Sequence, residues 1–360
     1  MTATPVPAAP APAAVRTPTL GRHYRGVVPA LAAVLALVVL ASARWGAVPI
    51  TPAEMAGALR HAWGAPDALA LNERIFLEIR LPRALLSALV GASLAVGGVL
   101  MQALFRNPIV EPGLVGTSSG AAFGAALYFV LGATFRVHAG EWTLPVAACA
   151  GGLLATWLVF ALSRAGAAGR GAVVTLLLTG IAVNALFMSG VGFLSYVARD
   201  PQARSITFWT LGTLAGASWR AVAVVGLTTA LGVAVGLRQA GPLNALMLGE
   251  EEARYLGVDV RRLRVVVLGA NVVMVAVATA FTGVIAFVGL IVPHLLRLLR
   301  GADNRFLMLG GMLAGGILLA LADLAARLVL APAELPIGII TSLVGVPAFI
   351  ALLRRGRTFF

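Results

Sequence analysis

Long apolar runs separated by short polar turns dominate the hydrophobic pattern of this chain. Most runs are close to twenty residues long, the length an α-helix needs to cross a hydrocarbon layer roughly 30 Å thick. The pattern therefore predicts an all-α polytopic membrane protein with about ten spanning helices. They are expected at residues 27–44, 84–104, 113–133, 143–163, 172–196, 219–237, 263–281, 283–298, 306–328 and 336–353. The eighth run is shorter than the others and contains Pro293.

Two segments fall outside this pattern. Residues 1–26 are rich in proline and alanine and end in a basic flank, which predicts a disordered cytoplasmic tail ahead of a transmembrane domain at 27–357. Residues 238–264 are too polar to span, and we expect one or two short amphipathic helices there. A solvated loop is the alternative. The apolar face that could dock into a partner consists of Leu246, Met247, Leu248, Ala253, Leu256 and Val258.

Composition supports the membrane assignment, since 60% of the 360 residues are hydrophobic and only 11% are charged. Soluble proteins carry about a quarter charged residues. All 27 basic residues are arginine, and most lie in the loops on one side of the predicted helices. Basic loops mark the cytoplasmic side, and ten helices, an even number, place both termini on that side. Short basic loops of this kind are a topology signal, so nucleic-acid binding is not expected.

The absence of lysine excludes a P-loop, which needs a lysine to reach the nucleotide phosphates. If transport is driven by ATP, the ATPase must be another polypeptide. The single cysteine, Cys149, lies in an apolar run and has no intrachain partner. No cluster of His, Cys or Asp has metal-site spacing, so no metal is expected.

Two polar constellations lie inside the apolar runs. The stretch 116–120 matches the G-x-S-x-G pattern of serine hydrolases, with His294 as a candidate base, but that pattern requires a strand before the serine. Helix capping and packing explain these small residues better. Asp323 and Arg327 are four residues apart and can pair on one helix face. A secondary proton-coupled carrier would need a relay of acids, of which only Asp323 lies well inside a run.

Four blocks resemble the FecCD/BtuC-type permeases, which import iron-siderophores, haem and cobalamin. They are RLPRALLSALVGASLAVGGVLMQALFRNPIVEPGLVGTSSGAAFGA (80–124), GEEEARYLGVDVRRLR (249–264), TGVIAFVGLIVPHLLRLLRGADNR (282–305) and LADLAARLVLAPAELPIGIITSLVGVPAFIALLRR (321–355). The blocks occur in the family's order, and the resemblance covers about residues 30–357.

The resemblance implies a transport subunit, not an enzyme, in a bacterial inner membrane. It implies ten helices per subunit and a homodimer with a central translocation path. Two ATPase subunits would bind ATP and Mg on the cytoplasmic side, and a periplasmic binding protein would dock outside. The chain itself would hold no cofactor. Haem is the first expectation for the transported ligand, and a ferric siderophore or cobalamin is the alternative.

The family's motifs also assign roles to single residues. Arg80, Arg83 and Arg327 match the periplasmic arginines that receive acidic residues of the binding protein. The alternative is that they face lipid headgroups, and for Arg327 that it pairs with Asp323. The segment that would couple to the ATPase includes Gly249, Glu250, Ala253, Leu256 and Gly257.

Analogy with the family places the translocation path along the second, fifth and eighth helices, with an inner gate near 171–175. The candidate path-lining residues are Met101, Gln102, Val173, Val174 and Asn184. Gln102 and Asn184 are equally suited to hydrogen bonds between helices.

Overall fold

The computed structural model describes residues 26–46, 48–64, 69–135, 140–165 and 172–355, and those residues contain helices and no strand. The helices are α1 Val27–Arg44, α2 Pro52–Ala62, α3 Leu71–Ile75, α4 Leu81–Phe105, α5 Thr117–Phe135, α6 Thr143–Ala165, α7 Ala172–Val197, α8 Asp200–Thr210, α9 Trp219–Leu248, α10 Glu250–Tyr255, α11 Val260–Thr282, α12 Val288–Arg300, α13 Asn304–Leu328 and α14 Ile337–Arg355. A π-helical turn, Phe76–Arg80, joins α3 to α4, and a 3₁₀ turn, Pro112–Val115, precedes α5. The predicted tail lies almost entirely outside the described residues.

The all-α membrane fold is confirmed. Among the described residues, seven helical stretches are long and apolar enough to cross a bilayer, and they contain α1, α4, α6, α7, α9, α11 and α13. Shorter apolar helices lie within α5 and α14. Each predicted run coincides with one helix, while the count of ten crossings stays a prediction. We call the end of the bundle that carries Arg83 the outer end and the opposite end the inner end, after the topology predicted from the arginines.

Helix α12 is shorter than its predicted run. It begins at Val288, because Phe287 has a left-handed backbone with a φ of 69° and residues 283–286 are not helical. At 13 residues, or about 20 Å at roughly 1.5 Å per residue, it reaches only part of the way across a bilayer. The broken start places backbone N–H groups inside the bundle, where they need partners.

Helix α9 is longer than predicted. The run was expected to end at residue 237, but the helix continues to Leu248 in spite of Pro242. Ala240, Leu243 and Leu246 are buried at helical spacing along the extension, and this packing outweighs the hydrogen bond that proline removes. The first part of the predicted 238–264 loop is therefore helix, and the polar segment begins at Gly249.

The core is built around α4, which is buried along nearly its whole length and contacts α13, α9, α11 and α12. Glycines bring the backbones together. A methyl group on Gly91 would collide with the carbonyl of Gly315 on α13, and one on Gly98 with the carbonyl of Gly289 on α12. In lipid, close approach of this kind is a main source of helix association.

The outer end carries three short helices, α2, α3 and α8, that the hydrophobic pattern did not predict. Helix α2 begins with a capping box in which Thr51 Oγ1 accepts from the Glu54 N–H at 3.3 Å and a Glu54 carboxylate oxygen accepts from the Thr51 N–H at 2.7 Å. The Thr-x-x-Glu spacing was readable in the sequence as a helix start.

Candidate functional site

Five charged side chains form what we call the outer charge cluster: Arg80, Arg83, Asp323, Arg327 and Glu334. Asp323 is at its centre and is 1% exposed. Its Oδ1 accepts hydrogen bonds from Arg83 Nε at 3.0 Å and Nη2 at 2.9 Å, and its Oδ2 accepts from Arg327 Nε at 3.0 Å. The predicted pairing of Asp323 with Arg327 is confirmed, and the same carboxylate also holds Arg83.

Arg327 is buried and tied to the end of α1. Its Nη1 donates to the Trp45 carbonyl at 2.9 Å, and its Nη2 donates to the carbonyl and Oγ of Ser42 at 3.0 and 2.7 Å. Every nitrogen of this guanidinium therefore has a partner within the chain. This arrangement matches the alternative role, an ion pair with Asp323, and leaves no nitrogen of Arg327 facing outward.

The other two arginines are also buried, yet they differ in what covers them. Arg80 donates to the carbonyls of Trp45 and Val48, at 3.0 and 3.5 Å. Arg83 uses Nη1 to bind both carboxylate oxygens of Glu334 at 2.9 Å. Only Glu334 among the cluster members is exposed, with 45% of its side chain accessible. Glu334 is therefore the cluster member that a partner at the outer end can reach most directly.

A cavity of about 210 Å³ lies beside Arg83 and Glu334 at the outer end. Its polar wall is formed by Arg83, Asp323, Glu334 and Thr213, and its apolar wall includes Phe208. The sequence did not indicate Glu334, although the motif that contains Arg327 continues to it.

The short helix α10 forms the tip of the inner end. Gly249 and Gly257 flank it with φ values of 148° and 82°, conformations that favour glycine. Glu250 forms an ion pair with Arg264 at the start of α11. The two glycines allow the chain to turn on either side of α10, and the ion pair links α10 to α11. A role of this segment in coupling to an ATPase stays a prediction.

The two predicted contact residues at and beside α10, Ala253 and Leu256, differ in exposure. Ala253 is fully buried, so it packs inside the chain and is not available to a partner. Leu256 is 61% exposed, as expected of a contact residue. Tyr255 is 89% exposed. It is not among the residues predicted from the sequence, although exposed aromatic residues are typical of protein interfaces.

The candidate path residues fall into two groups. Met101 and Gln102 are buried inside the subunit, and Gln102 links α4 to α12 by donating to the Gly289 carbonyl at 3.1 Å and accepting from Arg297. On α7, Val174 is 58% exposed and Asn184 is partly buried. The side chain of Val173 lies outside the described residues.

The segment RNPIVEPG between α4 and α5 folds back into the bundle. Arg106 ends α4 with a φ of 50°, and Pro112 lies against Gly97 and Gly289. The Pro112 carbonyl accepts from Asn271 Nδ2 on α11 at 3.2 Å. Sequence reasoning missed Asn271, a fully buried amide in an otherwise apolar run, which is itself a signal in a membrane helix.

The hydrolase alternative finds no support in the surroundings of Ser118. The serine lies in the first turn of α5 after a 3₁₀ turn, and no strand precedes it in the part of the chain that the structure describes. A nucleophile elbow requires a strand-turn-helix, so this G-x-S-x-G segment is a helix start.

The chain is similar to known permeases along nearly its whole length. It is 42% identical over 323 residues to the hemin transport system permease protein HmuU of Yersinia pestis, covering 90% of this chain and 93% of that protein. It is 41% identical over 300 residues to the cobalamin import system permease protein BtuC of Halobacterium salinarum, covering 82% and 79%.

A solved structure described as an inward-facing conformation of a metal-chelate type ABC transporter superposes with a TM-score of 0.79 at 32% identity. The match covers 91% of this chain and 99% of that chain. The profile of the FecCD transport family matches residues 34–355. The chain therefore belongs to the FecCD transport family.

Proposed function

We propose that the chain is the membrane-spanning permease subunit of an ATP-binding-cassette importer that moves haem from the periplasm to the cytoplasm. The observation that carries this proposal is the 42% identity to a hemin permease over 90% of the chain. The multi-pass helical fold supports it, with the outer charge cluster at one end and the short helix α10 at the other. In this arrangement both termini lie in the cytoplasm and the protein resides in the bacterial inner membrane.

At the outer end, a periplasmic binding protein docks on the surface around the outer charge cluster. The cluster holds three guanidinium groups and two carboxylates, so it carries one net positive charge and suits a partner with acidic residues. Complementary charge of this kind steers docking and sets the register of the two proteins. Arg83 is the arginine best placed for direct contact, while Arg80 and Arg327 support the backbone that surrounds it.

At the inner end, α10 inserts into a groove of an ATPase subunit that binds ATP and Mg. Tyr255 and Leu256 provide exposed apolar surface for this contact, and Leu248 at the end of α9 adds to it. Ala253 transmits movement from α10 to α9 by packing within the chain. The chain's own role is mechanical, since all ATP chemistry belongs to the partner.

Two copies of the chain form the translocation path between them. Helix α7 supports this proposal because half of its residues from 174 to 197 are exposed in a single chain, including Val174, Leu178 and Ile181. Lipid or a second copy must cover such an apolar face. Asn184 on the same helix supplies a polar group, and weakly polar walls let a large ligand pass without being held.

Two other chelates are candidate ligands. A cobalamin permease is the second candidate, because the cobalamin relative is 41% identical over 82% of the chain. A ferric siderophore is the third. A binding protein selects the ligand before it reaches the path, so the permease walls distinguish these chelates only loosely.

Uptake by proteoliposomes tests the function. The permease is reconstituted with its ATPase and binding protein, and uptake of haem, cobalamin and a ferric siderophore is compared with and without ATP. We expect ATP-dependent haem uptake that vanadate blocks. Uptake driven by a pH gradient without ATP would identify a secondary carrier, and ATP-dependent uptake of cobalamin alone would replace haem as the ligand.

A further inference from the structure

The two carboxylates of the outer charge cluster are held very differently. Asp323 is buried, and both of its oxygens bind guanidinium groups that are themselves buried. Glu334 is 45% exposed, and its hydrogen bonds go to Arg83 Nη1. Asp323 is therefore a fixed part of the fold, whereas Glu334 can leave Arg83 by rotating its side chain.

Arg83 would stay in place if Glu334 left. Its Nε and Nη2 remain bound to Asp323 at 3.0 and 2.9 Å, so the guanidinium plane keeps its orientation. The freed Nη1 would then point toward the outer surface as a charged donor that is already positioned. Binding a carboxylate at such a donor costs little ordering entropy.

The surroundings of Glu334 allow that rotation. The residue lies between α13 and α14, and the neighbouring Leu335 N–H donates to the Ala326 carbonyl at 3.0 Å, which anchors the backbone. The cavity of about 210 Å³ borders both Arg83 and Glu334, so a second carboxylate has room beside the first. Only a side chain has to move.

We propose that Glu334 is an exchangeable counter-ion: it neutralises Arg83 in the undocked permease and is displaced by a carboxylate of the docking protein. The inference rests on the proposed docking of an acidic binding protein at the outer end. Displacement raises the local charge from one to two positive charges, which the incoming acid then offsets. Glu334 thereby limits docking affinity and favours release after each cycle.

The Glu334→Gln variant tests the exchange. Glutamine keeps the shape of the side chain and can still accept from Arg83, but it holds the arginine less strongly. The probe is the importer's substrate-binding protein, purified and titrated against the permease in nanodiscs at low salt. We expect roughly three- to tenfold tighter docking, by removal of a competing ion pair. Unchanged or weaker docking overturns the proposal.

A simple loss of negative charge could also tighten docking, and two variants separate that effect from exchange. Glu78→Gln removes an exposed carboxylate at the same end, one that pairs with Arg74 and not with the cluster. It should change affinity less than about twofold, in keeping with an exposed pair. In an Arg83→Gln background, Glu334→Gln should have no further effect, because the exchange requires Arg83.

The outcomes also distinguish this inference from the docking role itself. If Glu334→Gln tightens docking equally with and without Arg83, repulsion alone operates and the exchange is excluded. If Arg83→Gln leaves docking unchanged, the proposed docking site is wrong. Should Arg83→Gln fail to give a monodisperse permease, Arg83→Lys replaces it, since one ammonium cannot bind Asp323 and Glu334 in the same fork geometry.

Discussion

The carboxylate of Glu111 accepts a hydrogen bond from the backbone N–H of Phe287 at 3.0 Å, across 176 residues of sequence. Phe287 is the residue before α12, so the acid caps the broken start of that helix. An acceptor there satisfies a backbone N–H group that the broken helix start leaves without an intrahelical partner. The RNPIVEPG segment therefore lies inside the bundle and is hydrogen-bonded to the start of α12.

Replacing Glu111 by alanine should destabilise the permease. The Phe287 N–H would lose its partner inside the bundle, at a cost of about 1–2 kcal/mol. Glu111→Gln keeps an accepting oxygen and should lose less than half of that. Thermal unfolding of both variants in nanodiscs measures the difference. Equal stability of the alanine variant and the parent would show that the hydrogen bond is not needed.

Asp323→Asn should be among the most destabilising single changes at the outer end. The change leaves Arg83 and Arg327, both buried, without their shared anion, and breaking buried pairs costs about 3–5 kcal/mol. The matched control is Glu78→Gln, which removes an exposed pair with Arg74 worth about 0.3–0.5 kcal/mol. The yield of monodisperse protein and the unfolding midpoint measure the effect of each variant. Similar losses of stability in the two variants would contradict the burial of Asp323.

Gly91→Ala and Gly269→Ala should change stability in opposite directions. A methyl group on Gly91 meets the Gly315 backbone across the α4–α13 contact, and forcing the helices apart costs about 1–3 kcal/mol. Gly269 on α11 has nothing within 4 Å, so alanine there should stabilise the helix by about 0.5–1 kcal/mol. Unfolding midpoints of the two variants, measured side by side, check the signs.

Tyr255→Ala should uncouple ATP hydrolysis from uptake while the permease remains folded. The side chain is almost fully exposed at the inner end, so its removal affects a partner more than the fold. We expect uptake per ATP hydrolysed to fall several-fold, as for loss of an aromatic interface residue. Trp63→Ala, an equally exposed aromatic change at the outer end, is the control. Normal coupling of ATP hydrolysis to uptake in the Tyr255 variant would show that the ATPase does not bind at α10.

Ala253→Arg should act through the fold and not through the partner contact alone. The residue is fully buried, so an arginine there cannot be accommodated without displacing α10 from α9. Loss of stability together with loss of coupling is the expected result. A stable but uncoupled variant, judged by unfolding and ATPase assays, would instead place Ala253 at the partner surface.

The sequence by itself determined the helical membrane fold, the family and the approximate bounds of most helices. Apolar runs near twenty residues long admit few structures in lipid, because every backbone group must be bonded internally. The Asp323–Arg327 pair was equally predictable, since four residues on a helix bring two side chains together.

Only the tertiary structure decided which of the predicted site residues are accessible. Arg83 and Glu334 are 251 positions apart and meet because α4 and the end of α13 pack side by side. Ala253 and Leu256 are three positions apart, yet one is buried and the other exposed. Helical periodicity identifies faces of a helix, but which face meets the bundle depends on distant residues, and this is why local sequence could not distinguish contact residues from packed ones.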